Sequence, residues 1–200
     1  KGATEAVDQA ADEISRLDQL LSTGNEDSEI YKINQSGDGI LSEETAYLVE
    51  RSLNLYEATD GAFDIAIYPV MKAWGFTDDN FRVPDADELK DLLTLTDASD
   101  ISYDKDTSQI AFKKDGMQID FGGIAKGYTS ARIMDIFRAC GIKSGLVNLG
   151  GNVQALGTKK DGSSWRVAVQ DPQDTDQYLG VLSIQDKAVI TSGGYERYFE

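Results

Sequence analysis

Asp120-Phe121-Gly122-Gly123-Ile124-Ala125-Lys126-Gly127-Tyr128 joins an apolar stretch to a helix start through a pair of glycines. Two adjacent glycines let backbone N–H groups come close to a ligand. A helix N-terminus adds partial positive charge, and the combination suits a phosphate. Lys126 adds a full positive charge in the first helical turn. The plainer alternative is a glycine-rich strand-to-helix turn that holds no ligand. Two familiar phosphate loops do not fit. Gly122 and Gly127 have the spacing of a Walker-type loop, but Tyr128 stands where that loop needs Lys. The dinucleotide fingerprint Gly-x-Gly-x-x-Gly is absent.

Working outward, residues 123–139 carry a helix that Gly141 is placed to end. Before the quoted stretch, residues 101–103, 109–112 and 117–121 read as short strands joined by Asp, Lys and Gly turns. After the helix, strand-like pieces fall at residues 145–148, 153–157, 165–170, 180–184 and 188–191. Near the start, Val7, Ala10, Ile14, Leu17 and Leu21 recur at helical steps, predicting a helix over residues 3–21. Residues 22–40 are polar and turn-rich, with Gly24, Asn25, Gly37 and Gly39 as breakers. Ser42 is placed as an N-cap for a second helix, carried by Ala46, Val49, Leu53 and Tyr56 and ending near Gly61. Residues 62–76 are rich in aromatics and follow neither period. After Pro84, Asp85 and Glu88 form a capping box before Leu89, Leu92 and Leu93. Helices and strands mix without strict β-α-β alternation, so the fold class is α+β, with short, largely antiparallel strands. The 200 residues read as a single domain.

Composition narrows the chemistry. The formal net charge is −16, which argues against nucleic acid as a partner, since neutralising phosphates needs a cationic face. With no histidine in the chain, Ser-His-Asp and Cys-His catalysis within it is excluded. The lone Cys140 excludes an intrachain disulfide and a Cys-rich zinc site, and is read as core packing. Any metal is therefore a hard cation held by oxygen.

Four further patterns have a plain reading to weigh. Asn34, Ser36, Asp38, Gly39 and Ser42 fall at calcium-loop positions, but Thr45 stands where a bidentate Glu is needed. Asp104-Lys105-Asp106-Thr107-Ser108 reads as a hairpin turn. Gly150-Gly151 and Ser192-Gly193-Gly194 each end an apolar strand, as cleft-lining loops or ordinary turns do. Phe63, Tyr68, Trp74 and Phe76 either stack on a planar ring or pack in the core.

Five segments in order resemble the ApbE family of flavin transferases. Residues 27–34, Asp-Ser-Glu-Ile-Tyr-Lys-Ile-Asn, resemble its D-S-x-[IL]-x-x-[IL]-N motif. Residues 59–64, Thr-Asp-Gly-Ala-Phe-Asp, with Pro69 and Trp74-Gly75-Phe76, resemble T-x-G-x-F-D…P…W-G-F. Residues 120–128 resemble D-[LF]-G-[AG]-I-A-K-G-Y. Residues 148–152 resemble N-x-G-G, and residues 191–199 resemble T-S-G-x-Y-x-R-Y-F. Each motif is weak alone, and their order is the signal.

The resemblance implies an ApbE-like, T-fold-like architecture and a Mg²⁺-dependent reaction. FAD is split at its diphosphate, FMN is attached to a Thr hydroxyl of an acceptor protein, and AMP leaves. Alternatives on the same scaffold are an FAD diphosphate hydrolase and a non-catalytic flavin-binding module. Implied acceptors are redox-complex subunits and other extracytoplasmic flavoproteins. Implied localisation is extracytoplasmic, as a membrane-anchored lipoprotein in the full-length form. By position, the resemblance makes Ala62, Phe63, Asp64, Asp120 and Lys126 FAD contacts and gives the Gly123 carbonyl to the metal. It places Asn34 near the metal–diphosphate site, where it decides between hydrolysis and transfer. The family's opening strand, its H-x-x-D-P segment and its later Asp and Thr metal ligands have no counterpart here, and neither does an aromatic near Gly24. The expectation is a chain trimmed at both ends, with catalytic groups C-terminal to Glu200.

Overall fold

The apolar spacing of the first helix, α1 (Gly2–Leu21), produces the helix but not quite the expected buried face. Ala6, Ala10, Leu17 and Leu21 are buried, whereas Val7 is 59% and Ile14 38% exposed. Ala6 and Ala10 pack with Ile133, Met134 and Phe137, and small side chains at such a contact let two helices approach closely. The computed structural model describes residues 2–193. It divides into two units, Arg16–Ala125 and a second formed by Lys1–Ser15 with Lys126–Glu200.

In the first unit, residues 22–40 are not all turn. They contain α2 (Glu29–Ser36), capped by the Ser28 side chain accepting from the Tyr31 N–H and ended by Gly37 at φ 78°. Ile30 and Ile33 go into the core. β1 (Asp38–Ile40) follows. Next comes α3 (Glu43–Ala58), which starts after Ser42 as expected, although the Ser42 hydroxyl donates to Thr45 Oγ1 and accepts from no helix-backbone N–H. The Gly61 N–H closes the far end on the Tyr56 carbonyl.

The aromatic stretch that followed neither period is a 3-10 turn, Ile65–Ile67, running into α4 (Tyr68–Ala73). The capping box works as read: Asp85 accepts from the Glu88 N–H at the start of α5 (Ala86–Leu93). A second 3-10 turn, Ala98–Asp100, leads into β2 (Ile101–Asp104). β2 and β3 (Gln109–Phe112) form a hairpin across the predicted 104–108 turn, where Asp104 Oδ1 accepts from the Asp106 N–H. The antiparallel sheet has the order β1-β3-β2, with the fully buried Ile110 opposite both Gly39 and Tyr103.

Residues 117–121 are not a strand, which corrects the expectation. They keep a strand's alternation, with Met117, Ile119 and Phe121 buried, but pair with no strand among the described residues.

The second unit holds nearly all of α6 (Ala125–Ala139), ended at Gly141 with φ 74°. β4 (Gly145–Leu149), β5 (Asn152–Leu156) and β8 (Ala188–Ile190) make an antiparallel sheet in the order β4-β5-β8. β6 (Trp165–Gln170) and β7 (Tyr178–Ile184) make an antiparallel ribbon. One core cluster joins Ala6, Ala10, Ile133, Met134 and Phe137 to Val147 and Leu156. Cys140 packs against it half-buried, at the core's edge.

Candidate active site

Hydrogen bonds within the first unit gather three segments distant in sequence. The Asn34 amide donates to the Ile119 carbonyl (2.8 Å) and accepts from the Ile119 N–H (2.8 Å). A single side chain thus supplies the pair of bonds that a neighbouring strand would supply. It holds residues 117–121 extended and is itself buried. With its amide committed this way, Asn34 does not serve as a calcium-loop ligand, and fully buried Thr45 is equally out of reach.

Next along the chain, the Asp120 N–H donates to the Ile65 carbonyl (2.8 Å), docking this segment against residues 62–65. Asp64 caps the 3-10 turn that starts at Ile65, accepting from the Ala66 N–H (2.7 Å) through Oδ1 and from the Ala98 N–H (3.1 Å) through Oδ2. Thr59 Oγ1 accepts from the Phe63 N–H (3.0 Å) and donates to the Leu55 carbonyl (2.7 Å). Phe63 reaches Gly123, where its ring edge lies 2.9 Å from the position a Cβ would take. The Asp120 carboxylate accepts from the Gly122 N–H (2.7 Å), and a Cβ on Gly122 would come within 2.7 Å of the same oxygen.

Burial pushes the Asp120 carboxyl above its ordinary value, and the Gly122 N–H pulls in the opposite direction. A carboxyl that resists ionisation beside an exposed glycine pair is the electrostatic signature of the site. The chain then enters α6 directly, with the Ala125 N–H on the Phe121 carbonyl (2.7 Å).

Of the residues named from sequence, Asn34, Ala62, Phe63, Asp64, Asp120 and Gly123 therefore come together in one unit. Lys126, exposed, is the second residue of α6 and falls in the other unit. The aromatics divide: Tyr68 is core, Phe63 lies at Gly123, and Phe76 is 40% exposed, edge-on to Phe81. Among the described residues, no group of three or more His, Cys, Asp or Glu side chains surrounds a metal position. Asp120 and the Gly123 carbonyl are a partial donor set and do not make a magnesium site by themselves.

In the second unit the two glycine motifs meet at one end of a sheet. Leu149 pairs with Asn152 across the two-residue Gly150-Gly151 turn, and Asn152 pairs with Ile190 on its other side. Residues 191–193 leave β8 there, while residues 194–199 of the last motif lie outside the described residues. Asn148 Oδ1 accepts from the Gly151 N–H (2.9 Å), which fixes the turn.

Sequence reading missed three residues that hold the site in place: Thr59, Tyr56 and Asp97. Thr59 opens a recognised motif and was available. Asp97 precedes Ala98 and Ser99 in the manner of an N-cap, but its partner Tyr56 is 41 positions away.

Comparison with known proteins adds independent findings. The sequence profile of the ApbE family matches residues 2–200. A Klebsiella pneumoniae FAD:protein FMN transferase is 33% identical, over 94% of this chain and 58% of its own length. One from Treponema pallidum is 34% identical, over 94% and 56%. The chain thus spans little more than half the length of these curated relatives. Among solved structures, an ApbE protein from Thermotoga maritima superposes with a TM-score of 0.93 at 32% identity, covering 98% of this chain and 65% of the other. The apo form of the Pseudomonas stutzeri flavinyl transferase ApbE gives 0.86 at 30% identity, covering 98% and 63%.

Proposed function

The chain belongs to the ApbE family, and from that premise we propose that it transfers FMN from FAD to a threonine hydroxyl of an acceptor protein, releasing AMP. The observation that carries this is the crowding at residues 120–123. The glycines there leave room beside Phe63 and the half-buried Asp120 carboxyl, immediately before the N-terminus of a 15-residue helix. In this reading the threonine oxygen bonds to the FMN-side phosphorus. The bond from that phosphorus to the bridging oxygen breaks, and its electron pair leaves on AMP. The hydroxyl proton passes to a base outside the residues named here.

The chain's own groups bind and orient. The helix N-terminus and the Lys126 ammonium offset the diphosphate charge, which a chain of net charge −16 otherwise repels. Positioning and charge neutralisation are the main sources of catalysis in phosphoryl transfer. Phe63 packs beside Gly123 as one wall for the dinucleotide. Asp64 holds that wall, and Asn34 holds the segment bearing Asp120. Magnesium belongs to this reading through the resemblance, with Gly123 as one donor. The described donors are too few to complete its shell, so no step is assigned to it. An extracytoplasmic, membrane-anchored lipoprotein and a redox-subunit acceptor complete the proposal on the same ground.

The test incubates the intact protein with FAD, Mg²⁺ and a threonine-containing acceptor. The acceptor should gain the mass of FMN less water, with AMP formed in step. FMN and AMP without acceptor gain would make the protein a hydrolase. FAD binding with no product would leave a flavin-binding module and overturn the transferase.

A further inference from the structure

We propose that Tyr56 is a positioning residue for the FAD-contact segment 62–64, acting through Asp97 and the Ala98 amide. The inference rests on the FAD reading of that segment. Tyr56, on α3, touches Gly61 just before the segment and Asp97, whose neighbour Ala98 bonds to Asp64 at the segment's end. Its ring lies under Gly61, where a Cβ would sit 3.4 Å from ring carbon Cε2, and Gly61 takes φ 80° to turn the chain there. Its hydroxyl donates to Asp97 Oδ1 (2.8 Å).

Asp97 is the N-cap of the turn Ala98–Asp100, and the same Oδ1 accepts from the Ser99 N–H (3.0 Å). The first amide of that turn, Ala98, donates to Asp64 Oδ2 (3.1 Å). Asp64 in turn caps the next 3-10 turn. Two aspartate-capped turns are thus locked together, and the tyrosine hydroxyl is the peg that fixes the outer one to α3. Beyond Asp64 the chain of contacts ends at the site: Phe63 against Gly123, and the Ile65 carbonyl on the Asp120 N–H.

Charge reinforces the bond. The hydrogen bond to Asp97, with burial and the nearby carboxylates of Asp97 and Asp64, raises the Tyr56 hydroxyl above its ordinary value. Hydrogen bonds from Ser99 and Tyr56 hold the Asp97 carboxyl below its own. Donor stays protonated and acceptor stays ionised across the neutral range.

The test uses the intact protein and measures FAD dissociation constant, KM for FAD, kcat and Tm. Tyr56→Phe removes the hydroxyl and keeps the ring. It should raise Kd and KM for FAD about three- to tenfold, the worth of one net hydrogen bond, with kcat changed less. Asp97→Ala should do at least as much. Asp97→Asn, which keeps an acceptor oxygen, should recover most of the affinity. The double variant Tyr56→Phe/Asp97→Ala should be no weaker than Asp97→Ala alone, because both act through one chain of contacts. Unchanged Kd in Tyr56→Phe, with or without a lower Tm, would overturn the positioning role and leave the FAD reading standing. If the unmutated protein itself bound no FAD, the reading beneath would fail instead, and the proposal with it.

Discussion

Two of the three glycine pairs in this chain, Gly150-Gly151 and Gly122-Gly123, are glycine for opposite reasons. Gly150 and Gly151 take φ of 56° and 85°, and a Cβ on either would meet nothing within 4 Å. Left-handed φ at both central positions is the geometry of a tight hairpin turn. Gly122 and Gly123 have no left-handed φ, yet a Cβ would press on Asp120 Oδ1 at 2.7 Å or on the Phe63 ring at 2.9 Å. One pair supplies a backbone conformation. The other supplies room beside a half-buried carboxyl and an aromatic ring. In sequence the two pairs look alike.

Substitutions separate them, beginning with the largest expected effect. Lys126→Ala should weaken FAD binding about ten- to hundredfold, the worth of a charge-assisted contact of about 1.5–3 kcal/mol. Titration of FAD into the variant checks this, and an unchanged affinity would remove Lys126 from the diphosphate. Gly123→Ala should weaken FAD several-fold with little change in Tm, because the Phe63 ring must shift to admit the methyl. Gly151→Ala should do the reverse. It should lower stability by about 1–2 kcal/mol through left-handed strain, seen as a fall of Tm by a few degrees, with FAD affinity kept. Were Gly151→Ala to hurt FAD binding more than Gly123→Ala, the contrast between the pairs would collapse.

The smallest effect is a pH dependence. The native Asp120 carboxyl is raised above its unfolded value, so native chains hold its proton to higher pH than unfolded ones. Stability therefore falls as pH rises from the ordinary carboxylate range through the raised native value. Asp120→Asn should be more stable than the parent at neutral pH, and the advantage should vanish below about pH 4, where both states of Asp120 are protonated. Paired Tm measurements across that range check the sign.

The local signals in the sequence proved readable where their partners were also local. The Asp85–Glu88 capping box, the Gly141 stop and the 104–108 hairpin turn each depend on residues within a few positions. α2 escaped notice because eight residues carry too little periodicity, although Ser28 and Gly37 bracket it as caps. Residues 117–121 have the alternation of a strand, but Ile119 is held by an asparagine side chain 85 positions away and Asp120 by the Ile65 carbonyl. No local pattern reports that. The site followed the same rule. Its residues were named through motif resemblance, while the contacts that assemble them, Asn34 to Ile119, Ile65 to Asp120 and Phe63 to Gly123, are long-range and appear only in the fold. The rotated face of α1 is a third case, set by Ala6 and Ala10 packing with α6 and not by the helix's own spacing.

The most direct test of the central claim, that residues 120–123 with Phe63 hold FAD, is an equilibrium titration of FAD into the intact protein and its glycine variants. Binding should be saturable, weakened by Gly123→Ala and kept in Gly151→Ala. Absence of saturable binding by the unmutated protein, or equal affinity in Gly123→Ala, would contradict it.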